Sequence, residues 1–333
     1  MSKVTVLGSG GWGIALSISL LNNGNDVSVW STFPDEIEEL KRNRETKLLK
    51  GVKIPEKIDL TTTLDGLADA DIVIFAVPSF AIRDTARKIK DKMNKNAVIV
   101  NVAKGIENDT LMCLADVIRS EIPDNKIVVL SGPSHAEEVA RGMATSLVAA
   151  SEDKQAAMFI QNVFSSPCLR VYINDDVIGV ELGGALKNII ALAAGVCDGL
   201  GFGDNIKAAL MTRGLSEIAE LGVAMGAKQR TFAGLTGLGD LIVTCTSVHS
   251  RNRRFGSLVG SGMTPDAALK EVGMTVEGYH ATKTAVLLAE KYHVEMPITR
   301  ECYAVLYKNA PVKDVLPNLM ERPKKHEYEN MWI

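Results

Sequence analysis

Seven short, nearly unbroken apolar runs punctuate the first half of this 333-residue chain, at residues 4–7, 27–30, 72–77, 97–102, 127–130, 145–149 and 169–173. Stretches of helical spacing, such as 12–21 and the charged amphipathic 35–44, lie between them. A strand apolar at every position has both faces covered, and helical connections return the chain to lay consecutive strands parallel. The pattern therefore predicts a parallel sheet with helices on both faces. After about Asp175 the strand-like runs stop. Ala-, Leu- and Gly-containing stretches at helical spacing replace them, over 177–196, 206–225, 264–272, 279–292 and 299–306. An α/β domain over residues 1–175 and an all-helical domain over 176–333 are expected. Two domains also fit a prior of ~150 residues per domain.

The first run leads directly into Gly8-Ser9-Gly10-Gly11-Trp12-Gly13, a G-x-G-x-x-G sequence between a strand and a helix. In that context the first glycine makes the tight turn and the second lets a pyrophosphate approach backbone N–H groups. The third lets the helix pack on the strand, with its positive end facing the anion. A Rossmann-like dinucleotide site is expected here. NAD sites usually place an acid at the end of the second strand, against the ribose 2′-hydroxyl. This strand ends Trp30-Ser31-Thr32-Phe33, with neither acid nor arginine, and Asp35 and Glu36 read as the first turn of a helix. The choice between NAD and NADP stays open.

Composition removes several classes of function. Lys and Arg total 37 and Asp and Glu 40, for a net charge of -3, so wholesale nucleic-acid binding is not expected. The five cysteines are dispersed, with no CxxC, which argues against a disulfide framework or a cysteine zinc site and fits a reducing cytoplasm. The histidines lack ligand spacing, so no metal is expected. The chain opens without a signal-peptide pattern, and its longest uncharged span, 4–25, is broken by glycines, so no membrane span is expected.

Two further strand ends carry polar residues. Lys104, in Asn101-Val102-Ala103-Lys104-Gly105, either points into the crevice where open sheets bind ligands or is a surface loop lysine. Ser134, in Ser131-Gly132-Pro133-Ser134-His135-Ala136, either caps the next helix or contacts substrate, with Gly132 permitting close approach.

The helical half holds one conspicuous charge. Lys187 is the sole charge between Glu181 and Asp198, on a helix apolar on nearly every face. A buried lysine must be paired or functional, and desolvation lowers its pKa toward that of a general base at neutral pH. The alternative is a lysine whose head snorkels to water. Gly183 and Gly184, one turn earlier, leave room for a ligand beside its stem. Asp240, isolated among apolar residues, is its expected partner. Ser250, Arg251 and Asn252 offer a hydroxyl, a planar fork and an amide to a phosphate, or else belong to a solvated basic helix face with Arg253 and Arg254. Thr275 and Glu277 carry no signal from pattern alone.

In this order, these motifs resemble the bacterial-type NAD(P)-dependent glycerol-3-phosphate dehydrogenases, along nearly the whole chain. The segments 8–13, 102–105, 131–138, 179–195 and especially 234–252 carry the resemblance. It implies a Rossmann-like domain, a helical domain of the 6-phosphogluconate-dehydrogenase type, a cleft between them and a homodimer. It implies interconversion of sn-glycerol 3-phosphate and dihydroxyacetone phosphate, feeding phospholipid synthesis. By the same resemblance Gly8, Gly10, Gly11, Trp12, Gly13, Thr32, Phe33, Ala136, Thr275 and Glu277 hold the dinucleotide. Lys104 and Arg251 touch cofactor and substrate. Gly132, Ser134, Asn188, Asp240, Ser250 and Asn252 meet substrate, and Lys187 is the proton acceptor, with Asp240 and Lys104 beside it in the chemistry. Gly11 stands where relatives often have Ser, and Thr32-Phe33 where they carry His-Arg, which argues against a strong NADP preference. The rivals are a β-hydroxyacid dehydrogenase of the same superfamily and a non-catalytic dinucleotide sensor.

Overall fold

The computed structural model describes residues 1–324, 326 and 327. The first half runs β1 (Lys3–Leu7), α1 (Gly11–Asn22), β2 (Asp26–Trp30), α2 (Pro34–Asn43), β3 (Asp59–Thr61), β4 (Ile72–Phe75), α3 (Ile82–Ile89), β5 (Val98–Asn101), α4 (Leu114–Glu121), β6 (Ile127–Ser131), α5 (Ala136–Ala140), β7 (Thr145–Ala150), α6 (Lys154–Phe164) and β8 (Leu169–Asn174). The described strands form one sheet in the order β3-β2-β1-β4-β5-β6-β7-β8. Apolar clusters cover both of its faces, as continuous apolar strands require. The order reverses between β1 and β4, which opens a crevice at the carboxyl ends of those strands.

Two details depart from expectation. β3 is an edge strand of three residues with polar ends, too short to leave a pattern. And β7 runs antiparallel to β6, pairing Val129 with Ala150 and Ser131 with Val148. The cause lies in the connection. α5 has only five residues, roughly 8 Å at the α-helical rise, too little to return the chain along a strand of roughly 17 Å. The chain therefore re-enters the sheet from the end it left. The 11 residues of α6 suffice, and β8 is again parallel to β7.

The second half is helical: α7 (Val177–Gly199), α8 (Asp204–Ala224), α9 (Gln229–Phe232), α10 (Asp240–Thr246), α11 (Arg251–Gly260), α12 (Pro265–Val272), α13 (Glu277–Tyr292), α14 (Pro297–Lys308) and α15 (Val315–Met320). α7 is long and apolar enough to cross a membrane, but 89% of that apolar window is buried inside the protein, so it is the core helix of this half. α11 crosses it in direct backbone contact. A Cβ on Gly195 would lie 2.0 Å from the Arg253 carbonyl oxygen, and one on Gly256 would lie 1.9 Å from that of Leu192. Only glycines permit this approach, and it brings the start of α11 beside the middle of α7.

Candidate active site

The glycine loop has the geometry its sequence requires. Gly8 adopts φ +121°, and its N–H donates to the Trp30 carbonyl at 2.8 Å, joining the loop to the end of β2. A Cβ on Gly13 would lie 2.2 Å from the Gly8 carbonyl oxygen, whereas one on Gly10 would meet nothing within 4 Å. Gly10 is the N-cap of α1, no side chain caps that end, and no acid occupies its first turn. An open face beside uncapped N–H groups fits a dinucleotide pyrophosphate.

The centre of the site is a bridge between the two halves. Lys187, on α7, is 6% exposed, and its ammonium donates to Asp240 Oδ1 and, at 2.6 Å, to Thr244 Oγ1. The other Asp240 oxygen accepts from Lys104 Nζ at 2.6 Å, and Lys104 also donates to the Gly132 carbonyl at 3.1 Å. Lys104 is therefore no surface loop lysine, and Lys187 does not snorkel. Burial pushes the Lys187 pKa down to about 8, against the opposing pull of Asp240. Burial alone would raise the Asp240 pKa, but the two ammonium groups outweigh it and hold the carboxyl below its ordinary value. Such a pair, one charged partner poised near neutrality, can exchange a proton with a bound oxygen.

A widened turn, Leu235–Gly239, delivers Asp240. The Gly239 N–H bonds back five residues to the Gly234 carbonyl, a π-type closure often found at functional sites. The expected free space at Gly183 and Gly184 is taken by this architecture. A Gly183 Cβ would lie 2.7 Å from the Thr236 carbonyl oxygen, and a Gly184 Cβ 2.9 Å from Ser131 Oγ and 3.5 Å from the Lys104 stem. These glycines admit the turn and Lys104, not a ligand.

A second network surrounds the start of α11. Asn252, 8% exposed, donates to Asn188 Oδ1 at 2.9 Å and accepts from the Gly278 N–H at 2.8 Å. The Ser250 hydroxyl accepts from the Arg253 N–H as the α11 cap. Arg253 pairs with Asp198 and Arg254 with Glu271, while Arg251 is exposed with no ion-pair partner among the described residues. Of the three arginines it alone has no ion pair among the described residues, and its charge is felt by Glu277. Glu277, half-buried beside Thr275, accepts from the Ser79 hydroxyl at 3.1 Å, and burial raises its pKa. A Cβ on Gly105 would lie 2.5 Å from that of Ser79, so a glycine must follow Lys104 for these segments to meet.

Some expected roles shift. Ser134 is not a cap: its hydroxyl donates to the Gly132 carbonyl, the N-cap of α5 is His135, and Ala136 opens that helix. Trp12 is half-buried on α1, next to Gly11, and packs on the sheet core. Thr32 and Phe33 are exposed just beyond β2. Sequence inspection missed Thr244, Ser79 and His135. Thr244 sits four residues after Asp240 on the same helical face, a spacing that pointed to it. His135 Nε2 and Ser131 Oγ are buried with no hydrogen-bond partner among the described residues, and the His135 ring lies 5.7 Å from that of His249. Nothing local marks either atom.

A glycine-loop nucleotide domain closed by a helical domain, with a buried lysine–carboxylate pair at their junction, defines the class of two-domain, dinucleotide-dependent oxidoreductases. Residues 3–157 match the family model described as NAD-dependent glycerol-3-phosphate dehydrogenase N-terminus, and residues 176–317 match its C-terminal counterpart. The chain belongs to the NAD-dependent glycerol-3-phosphate dehydrogenase family. It is 52% identical to a glycerol-3-phosphate dehydrogenase (NAD(P)+) of Fusobacterium nucleatum, over 99% of this chain and 100% of that one. It is 53% identical to the enzyme of that name from Clostridium perfringens, over 98% and 99%. A crystal structure of the Coxiella burnetii glycerol-3-phosphate dehydrogenase superposes with a TM-score of 0.93 at 36% identity, covering 96% of this chain and 99% of that one.

Proposed function

We propose that this chain interconverts sn-glycerol 3-phosphate and dihydroxyacetone phosphate, using NAD or NADP. The observation that carries the proposal is the bridge from Lys104 through Asp240 to Lys187, which joins the sheet's carboxyl edge to the buried helix α7. When bound, the nicotinamide supplies the hydride to C2 or removes it. In reduction the Lys187 ammonium gives a proton to the carbonyl oxygen, and in oxidation the amine takes the hydroxyl proton. Asp240 keeps Lys187 aimed and favours its charged form. Lys104 sets the other Asp240 oxygen and faces substrate together with Gly132 and Ser134.

Arg251, without an ion pair of its own among the described residues, holds the phosphate with Ser250 and Asn252. Asn252 has one amide hydrogen left after bonding Asn188, and the Ser250 hydroxyl still has its proton to donate. Binding energy at the phosphate, remote from C2, fixes the reacting geometry. The remaining expected contacts, Gly8, Gly10, Gly11, Trp12, Gly13, Thr32, Phe33, Ala136, Thr275 and Glu277, are assigned to the dinucleotide. A division into domains at residue 175, a homodimer, a place in the cytoplasm and supply of the glycerol backbone of phospholipids complete the proposal. Cytoplasmic residence is supported by five cysteines that are all free thiols.

Initial rates of dihydroxyacetone phosphate reduction with NADH and NADPH, with inorganic phosphate as competitor, test the proposal. Turnover that phosphate inhibits competitively supports it. Absence of turnover with both cofactors, or indifference to phosphate, rejects it.

A further inference from the structure

The end of β2 lacks a charged residue of its own, yet the fold brings a cation to it. Ser31 is buried, and its hydroxyl donates to Glu36 Oε2 at 2.9 Å. Thr32 is exposed, and its hydroxyl oxygen accepts from Lys88 Nζ at 3.1 Å. Lys88 stands on α3, the helix that follows β4, and its ammonium lies 5.0 Å from the centre of the Trp30 ring. It has no carboxylate partner among the described residues and is exposed. One of its three N–H donors goes to Thr32.

We infer that Lys88 is the residue that binds the 2′-phosphate of NADP, in place of the arginine that such sites usually carry beyond the second strand. The inference rests on the proposed seating of the dinucleotide on the glycine loop. That loop is tied to the Trp30 carbonyl through Gly8, and in this fold the residues just past β2 face the 2′ position of the adenosine ribose. Thr32 fixes the ammonium there, and its free N–H groups meet a phosphate. With NAD, Glu36, held by the adjacent Ser31, offers a carboxylate to a hydroxyl at the same place. Two opposite charges bonded to adjacent neutral residues let one site accept both cofactors. Absence of arginine after β2 therefore does not exclude NADP, because the cation comes from a different βα unit.

Calorimetric titration with adenosine 2′,5′-bisphosphate and with adenosine 5′-monophosphate isolates the 2′-phosphate. Lys88→Ala should lower the ratio of the two affinities about tenfold, the effect of one charge-assisted hydrogen bond at a solvated site. The NADPH to NADH ratio in kcat/KM should fall in step, and Lys88→Arg should preserve both ratios. Unchanged ratios in Lys88→Ala overturn the role of Lys88. A Gly10→Val variant separates the two levels of the argument by filling the open face of the glycine loop. If it loses both ligands while Lys88→Ala changes no ratio, the role of Lys88 alone has failed. If it keeps both ligands, the seating itself has failed, and the role of Lys88 with it.

Discussion

Replacing Lys187 by Met removes the ammonium and keeps an apolar stem of similar length. The folded protein holds the lysine pKa at about 8 against an ordinary 10.5. That gap corresponds to about 3 kcal/mol disfavouring the folded state when the lysine is charged. The cost is complete below about pH 8. Between about 8 and 10.5 the unfolded chain binds more protons than the folded one, so wild-type stability rises with pH across that window. Met carries no such cost at any pH. Asp240 is not left alone in the variant, because Lys104 still donates to it at 2.6 Å. Thr244 keeps its bond to the Asp240 carbonyl, also at 2.6 Å. Lys187→Met should therefore melt at or above the wild-type temperature at pH 7, with the advantage shrinking toward pH 10. Its kcat should fall at least ~10²-fold, the low end for a positioned acid–base group. NADH affinity by fluorescence should stay near wild type, since the glycine loop lies in the other half. Adding Asp240→Asn should cost little further activity, because residues acting as a unit are not additive. A variant that melts well below wild type at pH 7, or keeps more than about a tenth of wild-type kcat, would refute this reasoning.

The same depressed pKa sets the pH profiles: kcat/KM for reduction should be level below about pH 8 and decline above it, while kcat/KM for oxidation climbs toward a plateau above about 8. Flat profiles from pH 6 to 10 would remove Lys187 from the proton transfer. Arg251→Ala should weaken transition-state binding of dihydroxyacetone phosphate by ~1.5–3 kcal/mol, while dihydroxyacetone loses much less; equal losses on the two would dismiss the phosphate role. Asn252→Ala strips the Gly278 N–H of its buried acceptor and should destabilise by about 1–3 kcal/mol in urea unfolding. Gly13→Ala drives a methyl to 2.2 Å from the Gly8 carbonyl oxygen, so NADH affinity should drop more than tenfold; wild-type affinity would show that the loop can yield.

Whatever depends on neighbours in the chain was legible without coordinates. Alternation of apolar strands with helices is a local signal of burial on two faces. The glycine loop is a local backbone requirement, and a lone lysine on an apolar helix is a local anomaly that demands a partner. Asp240 was found the same way, as an isolated acid. What the sequence could not convey are relations between distant segments. The polarity of β7 depends on how far five residues of α5 can carry the chain. The space beside Gly183 and Gly184 reads as room for a ligand until a π-type turn and the Lys104 stem are seen to fill it. Lys104 and Lys187 reach the same carboxylate from 136 and 53 residues away, and Lys88 reaches Thr32 across 56. Hydrophobic periodicity specifies which face of an element is buried but carries no information on which polar tips then coincide. Those meetings are decided by the crossing of α7 with α11 and by the order of the strands, where the desolvation of each charge must be matched by a partner brought from elsewhere in the fold.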